Sequence, residues 1–330
     1  MNDEANEPTA VSVVVPLRDE AASVVKLIDA LRRQTLAPRE VLLVDGGSTD
    51  STVQRVREAA AGDLRFRIIE AGEATPGRGR NVGTAAAVCQ WIAYTDAGGR
   101  PELDWLERLA AEAQSHPGVD VVFGNFEPVA ETLVQRAAAL SYVQPKRRRA
   151  GGRLRAPAIV SALMRRSVWE DIGGFPDLRA SEDLAFLDAI ERGPFLRRWA
   201  PAATVWWDPP PTLAATFRRF ETLSIHNVRA GKAHLWHYGV ARQYAIAAAI
   251  VLIAPIFSPW WLLLIPTGLV ARVWKLAWPR SERGWAAILF DPVNVVVAAV
   301  LLTIDAATFV GWIEALLGPV RPRKTTSVRT

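Results

Sequence analysis

The stretch that decides the fold runs from Val11 to Thr52 and reads VSVVVPLRDEAASVVKLIDALRRQTLAPREVLLVDGGSTDST. An apolar run at 11–15 stops at Pro16, a segment with helical periodicity follows at 21–36, and a second apolar run at 41–44 ends in a glycine-rich polar loop. Two short apolar runs separated by one helix predict two parallel strands, because a parallel connection needs a crossover.

Polar residues follow both predicted strands at the point where each strand ends. Ligands of open α/β sheets bind beyond the carboxyl ends of the strands. The segments 16–20 and 45–50 are therefore expected to border one ligand pocket.

Length and composition limit the classes of protein to consider. The chain has 330 residues, enough for one large domain or two ordinary ones. Its net charge of +5 leaves nucleic acid, anionic lipid and a phosphorylated small molecule as candidate partners. The single cysteine, Cys89, excludes an intramolecular disulfide and fits a reducing compartment. Residues 1–10 are acidic and polar; we expect them to be disordered and to carry no secretory signal.

Two further strands, at 66–70 and 91–95, extend the pattern. The second of them ends at Asp96, which two glycines follow closely. A carboxylate in this place suits a metal or a ribose. Asp96 could also simply cap the helix expected at 102–115.

Two arginines lie near the start of an alanine-rich helix between these strands. Arg78 and Arg80 flank Gly79 in the sequence TPGRGRNVG. A helix N-terminus with two guanidinium groups can hold an anion. A solvated basic loop is the alternative interpretation.

A second basic segment surrounds the pair Gly151-Gly152. Its six cationic residues are Lys146, Arg147, Arg148, Arg149, Arg153 and Arg155. We expect a mobile loop that clamps a phosphate, contacts anionic lipid or is a solvated linker.

An acidic pair opens a later helix in the sequence RASEDLAFLDAI. Ser181 is the expected N-cap, and Glu182 and Asp183 fall in the first turn, where acids are favourable. Because adjacent helical residues point in different directions, at most one of the two acids is expected to take part in chemistry.

The chain changes character after about residue 211. Residues 212–239 predict amphipathic helices of the kind that lie on membrane surfaces, with Arg218 and Arg219 beside aromatic residues. Ten of the 13 tryptophans stand at Trp199 or later, and tryptophan favours membrane interfaces.

Residues 240–318 predict membrane-associated helices, followed by a basic tail at 319–330. Two apolar segments, 244–269 and 285–317, are each long enough to cross a bilayer. Basic residues precede, separate and follow them, and positive residues stay on the cytosolic side. This pattern favours two re-entrant hairpins, turning at the prolines 255 and 259 and at Asp305, over two simple crossings. A soluble helical domain is the third possibility.

Five motifs together resemble the family 2 glycosyltransferases, which have the nucleotide-binding fold called GT-A. They are SVVVPLRDE, VDGGSTDST, GRGRNVG, YTDAGGRPELDWLERL and GGFPDLRASEDLAFLDAI. In layout the chain is similar to bacterial exopolysaccharide transferases of the succinoglycan group. The resemblance implies an α/β fold at 11–211, with a mostly parallel Rossmann-like sheet flanked by helices, followed by the hydrophobic membrane region.

The resemblance also implies roles for individual residues. It implies inverting transfer of a sugar from a nucleotide-diphosphate donor, with Asp183, beside Glu182, as general base. Asp96 would bind the ribose or a divalent metal, Mg²⁺ or Mn²⁺. The residues around the nucleoside and phosphates would be Pro16, Arg18, Glu20, Asp45, Gly47, Ser48 and Arg80. Arg218 and Arg219 stand where processive relatives carry Gln-x-x-Arg-Trp.

Two motifs depart from the family pattern. The usual Asp-x-Asp reads Asp96-Ala97-Gly98, so the second carboxylate is missing. Gly46 also stands where many members have an acid that contacts the base. These departures put metal dependence and nucleobase recognition in question.

The expected function is therefore sugar transfer to a lipid-linked or glycan acceptor at the cytosolic face of the inner membrane. The partners would be a nucleotide sugar, that acceptor and membrane lipids, and not nucleic acid. Arg147, Arg148 and Arg149 would hold the acceptor phosphate or the membrane. A nucleotidyltransferase is one alternative, although the segment 16–20 lacks the glycine that its first loop normally has. A non-catalytic membrane scaffold is another.

Overall fold

The computed structural model describes residues 10–149, 152–178, 181–281 and 283–318. The segments expected to be a disordered N-terminus, up to residue 9, and a basic tail, 319–330, lie outside these ranges. The strands are β1 Val11–Leu17, β2 Glu40–Asp45, β3 Phe66–Glu70, β4 Trp91–Tyr94, β5 Gly99–Pro101, β6 Val121–Pro128, β7 Arg147–Arg149, β8 Gly152–Leu154, β9 Ala162–Arg165 and β10 Arg197–Trp207. The helices are α1 Val24–Arg32, α2 Thr52–Ala59, α3 Pro76–Ala86, α4 Trp105–Ser115, α5 Leu133–Ser141, α6 Arg166–Ile172, α7 Glu182–Arg192, α8 Leu213–Arg229, α9 His237–Phe257, α10 Leu264–Ala277, α11 Trp285–Leu289 and α12 Val293–Leu317.

Eight strands form one sheet in the order β3-β2-β1-β4-β9-β6-β10-β5. The pairs β1–β2, β2–β3, β1–β4 and β6–β10 are parallel. The strand β9 runs antiparallel to β4 and β6, and β5 runs antiparallel to β10. The parallel pair predicted from the opening stretch is therefore confirmed, with Val13 opposite Val41.

Helices cover both faces of this sheet, which explains why β1 and β2 are apolar without alternation. On one face Val13 packs in a core with Leu27 of α1 and Trp105 of α4. On the other face Val14 packs in a core with Phe186 of α7. This layering brings the starts of α3 and α7 to the carboxyl ends of the strands.

A glycine sets how closely α3 approaches the sheet. A Cβ atom on Gly83 would lie 2.4 Å from Cγ1 of Val14. Only glycine permits this contact, which holds the first turns of α3, with Arg80, near the end of β1.

The basic segment differs from the mobile loop expected of it. β7 and β8 pair antiparallel, with Arg148 opposite Arg153, so this segment is a short hairpin. Both its ends are tied to one carboxylate, because Glu127 accepts from Lys146 at 2.9 Å and from Arg155 at 2.7 Å.

The turn expected at Asp305 is also absent, since α12 continues through that residue. The Asp305 side chain is fully buried and accepts hydrogen bonds from Arg272, at 2.5 and 2.8 Å, and from the Tyr244 hydroxyl, at 3.2 Å. The helix can continue because the carboxylate is paired rather than exposed. The first apolar segment does turn, at Ser258, before a short 3₁₀ helix at Pro259–Leu263.

Within the described part of the chain, three helical segments are long and apolar enough to cross a membrane. They are His237–Phe257, Pro259–Arg280 and Val293–Leu317. The fold therefore joins an α/β domain to apolar helices near its carboxyl-terminal end.

Candidate active site

A cavity of about 750 Å³ opens at the carboxyl ends of β1, β4 and β10. Its volume is in the range of small-molecule sites. The residues singled out from the sequence that line it are Pro16, Arg18, Glu20, Arg80, Asp96, Glu182, Asp183 and Arg219. The topology thus brings together side chains as distant in the chain as Pro16 and Arg219.

Arg80 lies at the centre of the charged groups and is only 4% exposed. Its Nη1 donates to Glu182 at 2.9 Å and its Nη2 to Asp96 at 2.8 Å. Its guanidinium also lies 5.5 Å from the centre of the Phe175 ring. One side chain of α3 thereby fixes the end of β4 and the start of α7.

The two acids of α7 have different surroundings, as their adjacency predicted. Glu182 is buried and bonded to Arg80. Burial raises the pKa of Glu182, although the charge of Arg80 opposes the shift. Asp183 is half-buried and faces the cavity. Both carboxylates line the cavity, but Glu182 is held in an ion pair with Arg80, and Asp183 is the more exposed of the two.

Ser181 does not cap α7, contrary to expectation. It has a left-handed backbone with φ of 61° and makes no side-chain cap hydrogen bond. Its hydroxyl instead donates to Oδ1 of Asn227 in α8 at 2.7 Å. The residue therefore joins the start of α7 to α8 and orients Asp183 relative to that helix.

The first loop of the cavity carries another acid, the half-buried Glu20. Glu20 accepts from the hydroxyl of Ser23, and burial raises its pKa. The neighbouring Asp19 has a positive φ of 55° and accepts from the Thr49 backbone at 2.7 Å. The loops after β1 and β2 are thus bonded to one another.

Asp45, Gly47 and Ser48 do not line this cavity. The Asp45 carboxylate accepts from the Gly47 backbone at 3.0 Å and from the Ser48 hydroxyl at 2.5 Å. Ser48 in turn accepts from the backbone of Asp19 at 2.9 Å. In this structure the three residues support the loop after β1 through hydrogen bonds and do not line the cavity.

Gly46 leaves no room for the acidic side chain that the family pattern predicts at this position. A Cβ atom there would lie 2.8 Å from the Ala74 carbonyl oxygen. The segment at residue 74 closes that edge of the site, so in this structure a side chain at residue 46 would clash with the backbone.

Asp96 is the cavity carboxylate that the sequence predicts as a metal ligand. Its side chain is 49% exposed, and Arg80 bonds one of its oxygens. Across the described ranges, no group of three or more histidine, cysteine or acidic side chains could hold a metal ion. Magnesium, however, is often bound through one or two carboxylates plus substrate phosphates and water. The residues therefore fit a metal that arrives with a phosphorylated ligand, rather than a preformed metal centre.

The sequence reasoning missed several residues of the far wall. Asp208, just after β10, accepts two hydrogen bonds from Arg100 at 2.8 and 2.9 Å. Trp207, whose ring centre lies 5.6 Å from the guanidinium of the predicted Arg219, and His226 of α8 also line the cavity. Asp208 could have been found, because it follows a strand end in the same way as Asp96.

Three other predicted residues lie away from the cavity wall. Arg218, Arg147 and Arg148 are exposed and do not line it. The side chain of Arg149 lies outside the described part of the molecule. Of the pair on α8, only Arg219 reaches the site.

Comparison with known proteins gives one family. Residues 12–173 match the model described as "Glycosyl transferase family 2". The chain is 32% identical over 173 residues to the glycosyltransferase AglE of Haloferax volcanii, covering 51% of this chain and 56% of that protein. It is 24% identical to the succinoglycan biosynthesis protein ExoA of Rhizobium meliloti, covering 96% of this chain and 98% of that protein. The match to AglE thus spans about half of that relative, whereas the match to ExoA spans nearly all of it.

A solved structure agrees with the fold. The mannosyltransferase PcManGT from Pyrobaculum calidifontis, in complex with GDP-Man and Mn²⁺, superposes with a TM-score of 0.59 at 22% identity. The match covers 95% of this chain and 88% of that one. It confirms the GT-A fold expected from the sequence motifs.

Proposed function

The chain carries a glycosyl transferase family 2 domain at residues 12–173, and we propose that it is a membrane-bound, inverting glycosyltransferase. It moves a sugar from a nucleotide-diphosphate donor to a hydroxyl group of a lipid-linked or glycan acceptor. One observation carries the proposal: of the two acids of α7 that line the cavity, Glu182 is buried and paired with Arg80, whereas Asp183 is half-buried and open to a ligand.

The proposed reaction is a single displacement. Asp183 removes the proton from the acceptor hydroxyl as its oxygen attacks the anomeric carbon. The bond from that carbon to the donor phosphate breaks, and the nucleoside diphosphate leaves with the electron pair. Attack opposite the leaving group inverts the anomeric configuration.

The leaving diphosphate gains negative charge, and the cavity has cations to receive it. Arg18 and Arg219 both line its wall, and guanidinium groups suit phosphate oxygens. A divalent cation held by Asp96 and the donor phosphates would neutralise part of that charge. The GDP-Man and Mn²⁺ bound to PcManGT support a donor and a metal of this kind.

The apolar helices support membrane attachment, and the basic hairpin supports an anionic acceptor. Arg147 and Arg148 are exposed at the hairpin. Each such residue near an anionic membrane surface contributes about 1 kcal/mol of attraction. With the positive residues on the cytosolic side, the catalytic domain would lie at the cytosolic face of the inner membrane.

Nucleotide release tests this function. We would incubate the detergent-solubilised full chain with a panel of nucleotide sugars, with and without Mg²⁺ or Mn²⁺, and measure the released nucleoside diphosphate. The expected result is release from one donor class, increased by a lipid extract that supplies acceptor. A nucleotidyltransferase would release pyrophosphate from nucleoside triphosphates, and a non-catalytic scaffold would release nothing.

The metal proposal gives a prediction for two variants. Asp96→Ala should lose most donor affinity in the presence of Mn²⁺. Gly98→Asp should restore a second carboxylate, and a side chain fits because a Cβ there meets no atom within 4 Å. We expect Gly98→Asp to lower the Mn²⁺ concentration for half-maximal activity by about tenfold, since added ligand charge tightens metal binding.

Titration of activity with Mn²⁺ measures this effect. Gly98→Ala is the matched control, because it adds the Cβ without the carboxylate and should leave the titration unchanged. Equal titrations for Gly98→Asp and Gly98→Ala, or unchanged donor affinity in Asp96→Ala, would place the metal elsewhere.

The basic hairpin gives a second prediction. Replacing Arg147, Arg148 and Arg149 with glutamine should weaken acceptor use or membrane association more than donor hydrolysis. The reason is that Arg147 and Arg148 lie outside the active-site cavity, which is the proposed donor cavity. Transfer, donor hydrolysis and binding to anionic vesicles would each be measured. The charge-matched control replaces the exposed arginines Arg33, Arg39 and Arg57. Loss of donor hydrolysis alone would assign the hairpin to the donor.

A further inference from the structure

The apolar helices differ in what surrounds them. The helix α12 has one face buried along most of its length, at Val293, Val297, Val300, Ile304, Thr308 and Gly311. By contrast, the part of α9 beyond Tyr244 and the first half of α10 are largely exposed. Length and apolar composition therefore do not distinguish these helices, but packing does.

Both ends of α12 pack against other helices, α5 of the α/β domain and α8, which borders the cavity. Near its start, Val297 packs in one cluster with Ala137 of α5. Near its end, the Thr308 carbonyl accepts from the Ser224 hydroxyl of α8 at 2.8 Å. A Cβ on Gly311 would lie only 2.5 Å from the Glu221 carbonyl oxygen, so α8 and α12 nearly touch. The helix thus lies along the domain surface rather than pointing away from it.

A crossing orientation of α12 would draw α5 and α8 into the bilayer. The helix α8 carries Arg218, Arg219, Glu221 and Arg229. Placing a charged side chain at the bilayer centre is energetically unfavourable. The opposite stripe of α12 is apolar and exposed, for example at Val295 and Leu316. A position flat at the membrane surface satisfies both faces.

The helices α9 and α10 form the protruding element. Tyr244 and Arg272 both bond to Asp305, so these residues mark the base of a hairpin. Residues 245–271 contain no charged side chain. Exposed apolar residues cover this hairpin, including Leu252, Ile256, Phe257, Trp260, Leu263 and Val270.

The hairpin is too short to span a membrane from its base. From Tyr244 to Phe257 the helix rises about 20 Å at 1.5 Å per residue. A bilayer's hydrocarbon core is about 30 Å thick. The tip, with Trp260 and Trp261, would therefore end inside the membrane.

We infer that the protein is monotopic. The α9–α10 hairpin enters one leaflet, α12 lies flat beneath the catalytic domain, and no segment of the described chain crosses the bilayer. This inference rests on the membrane attachment in the proposed function and specifies how the protein is attached. The occupant of the exposed surface is the acyl region of a single leaflet, since the base carries Arg272 and the rest of the hairpin is uncharged.

Cysteine labelling in sealed vesicles of both orientations tests the inference. Single cysteines are introduced into full-length protein with the buried Cys89 changed to alanine. The positions are Glu58 in the catalytic domain, Arg283 before α12, Glu314 near its end, and Ser258 at the hairpin tip. A membrane-impermeant maleimide is applied before and after detergent.

Glu58→Cys, Arg283→Cys and Glu314→Cys should label in the same vesicle orientation. Ser258→Cys should stay unlabelled in both orientations and gain at least about tenfold in labelling with detergent, because the hydrocarbon core excludes a polar reagent. Labelling of Ser258→Cys from the side opposite Glu58→Cys would show a crossing hairpin. Labelling of Glu314→Cys and Arg283→Cys from opposite sides would show that α12 crosses. Either result overturns the inference.

A carbonate wash separates this outcome from failure of the proposed function. The protein should remain in the membrane pellet. A soluble dimer after the wash would mean that a second copy covers the hairpin, and membrane attachment itself would then be wrong. Nucleotide release by each cysteine variant shows that it is folded.

Discussion

Asp183→Asn should lower the transfer rate by roughly 10²- to 10⁴-fold, the usual contribution of a general base. The amide keeps the shape of the side chain but cannot accept the acceptor's proton. Donor binding should change little, because Arg80, Asp96 and Glu182 keep their contacts with one another. Transfer assays and nucleotide binding by calorimetry would measure the two effects separately.

Asp188→Asn is the matched control on the same helix. Asp188 lies further along α7, is exposed, pairs with Arg192 and does not line the donor cavity. Its variant should keep full activity. Normal turnover by Asp183→Asn would remove Asp183 as the base and leave the acid–base role to another side chain of the cavity.

Arg80→Met should cause the largest combined loss of stability and donor binding. It leaves the buried Glu182 without its cation, and breaking a buried ion pair typically costs about 3–5 kcal/mol of unfolding free energy. It also frees Asp96 from its partner at the point where the donor phosphates are expected. Thermal unfolding in detergent and donor binding would both be measured.

Two further variants separate these causes. Arg78→Met changes an exposed arginine on the same helix and should shift stability by less than about 0.5 kcal/mol. The double variant Arg80→Met with Glu182→Gln removes the uncompensated charge, so it should recover stability but not donor binding. Full donor binding in the double variant would show that Arg80 acts only on the fold.

Strand ends were the most informative feature of the sequence. Asp96 and the segment 16–20 were placed at the cavity because a strand's carboxyl end fixes position without knowledge of side-chain contacts. The pair Glu182 and Asp183 was resolved in part, since helix geometry separates neighbours in direction. The local sequence does not show that Glu182 is the acid that pairs with Arg80, because Arg80 lies 102 positions away in the chain.

The remaining features depended on contacts that local sequence does not encode. Asp45 looked like a ligand residue, yet its carboxylate bonds to its own loop. The basic segment is predicted to be a mobile loop, but both its ends form ion pairs with Glu127, which is distant in the sequence. Asp305 looked like a turn in an apolar run, because its partner Arg272 lies in another helix.

The helix α8 has a double role with a practical consequence. Thr222 and His226 face the donor cavity, whereas Ser224 bonds to α12. A single helical layer separates the reaction chamber from the anchoring helices. The catalytic domain is therefore not expected to work as a separate fragment. Truncation after α8 would remove α12 and expose the face of α8 that α12 covers, and α8 is a wall of the active site.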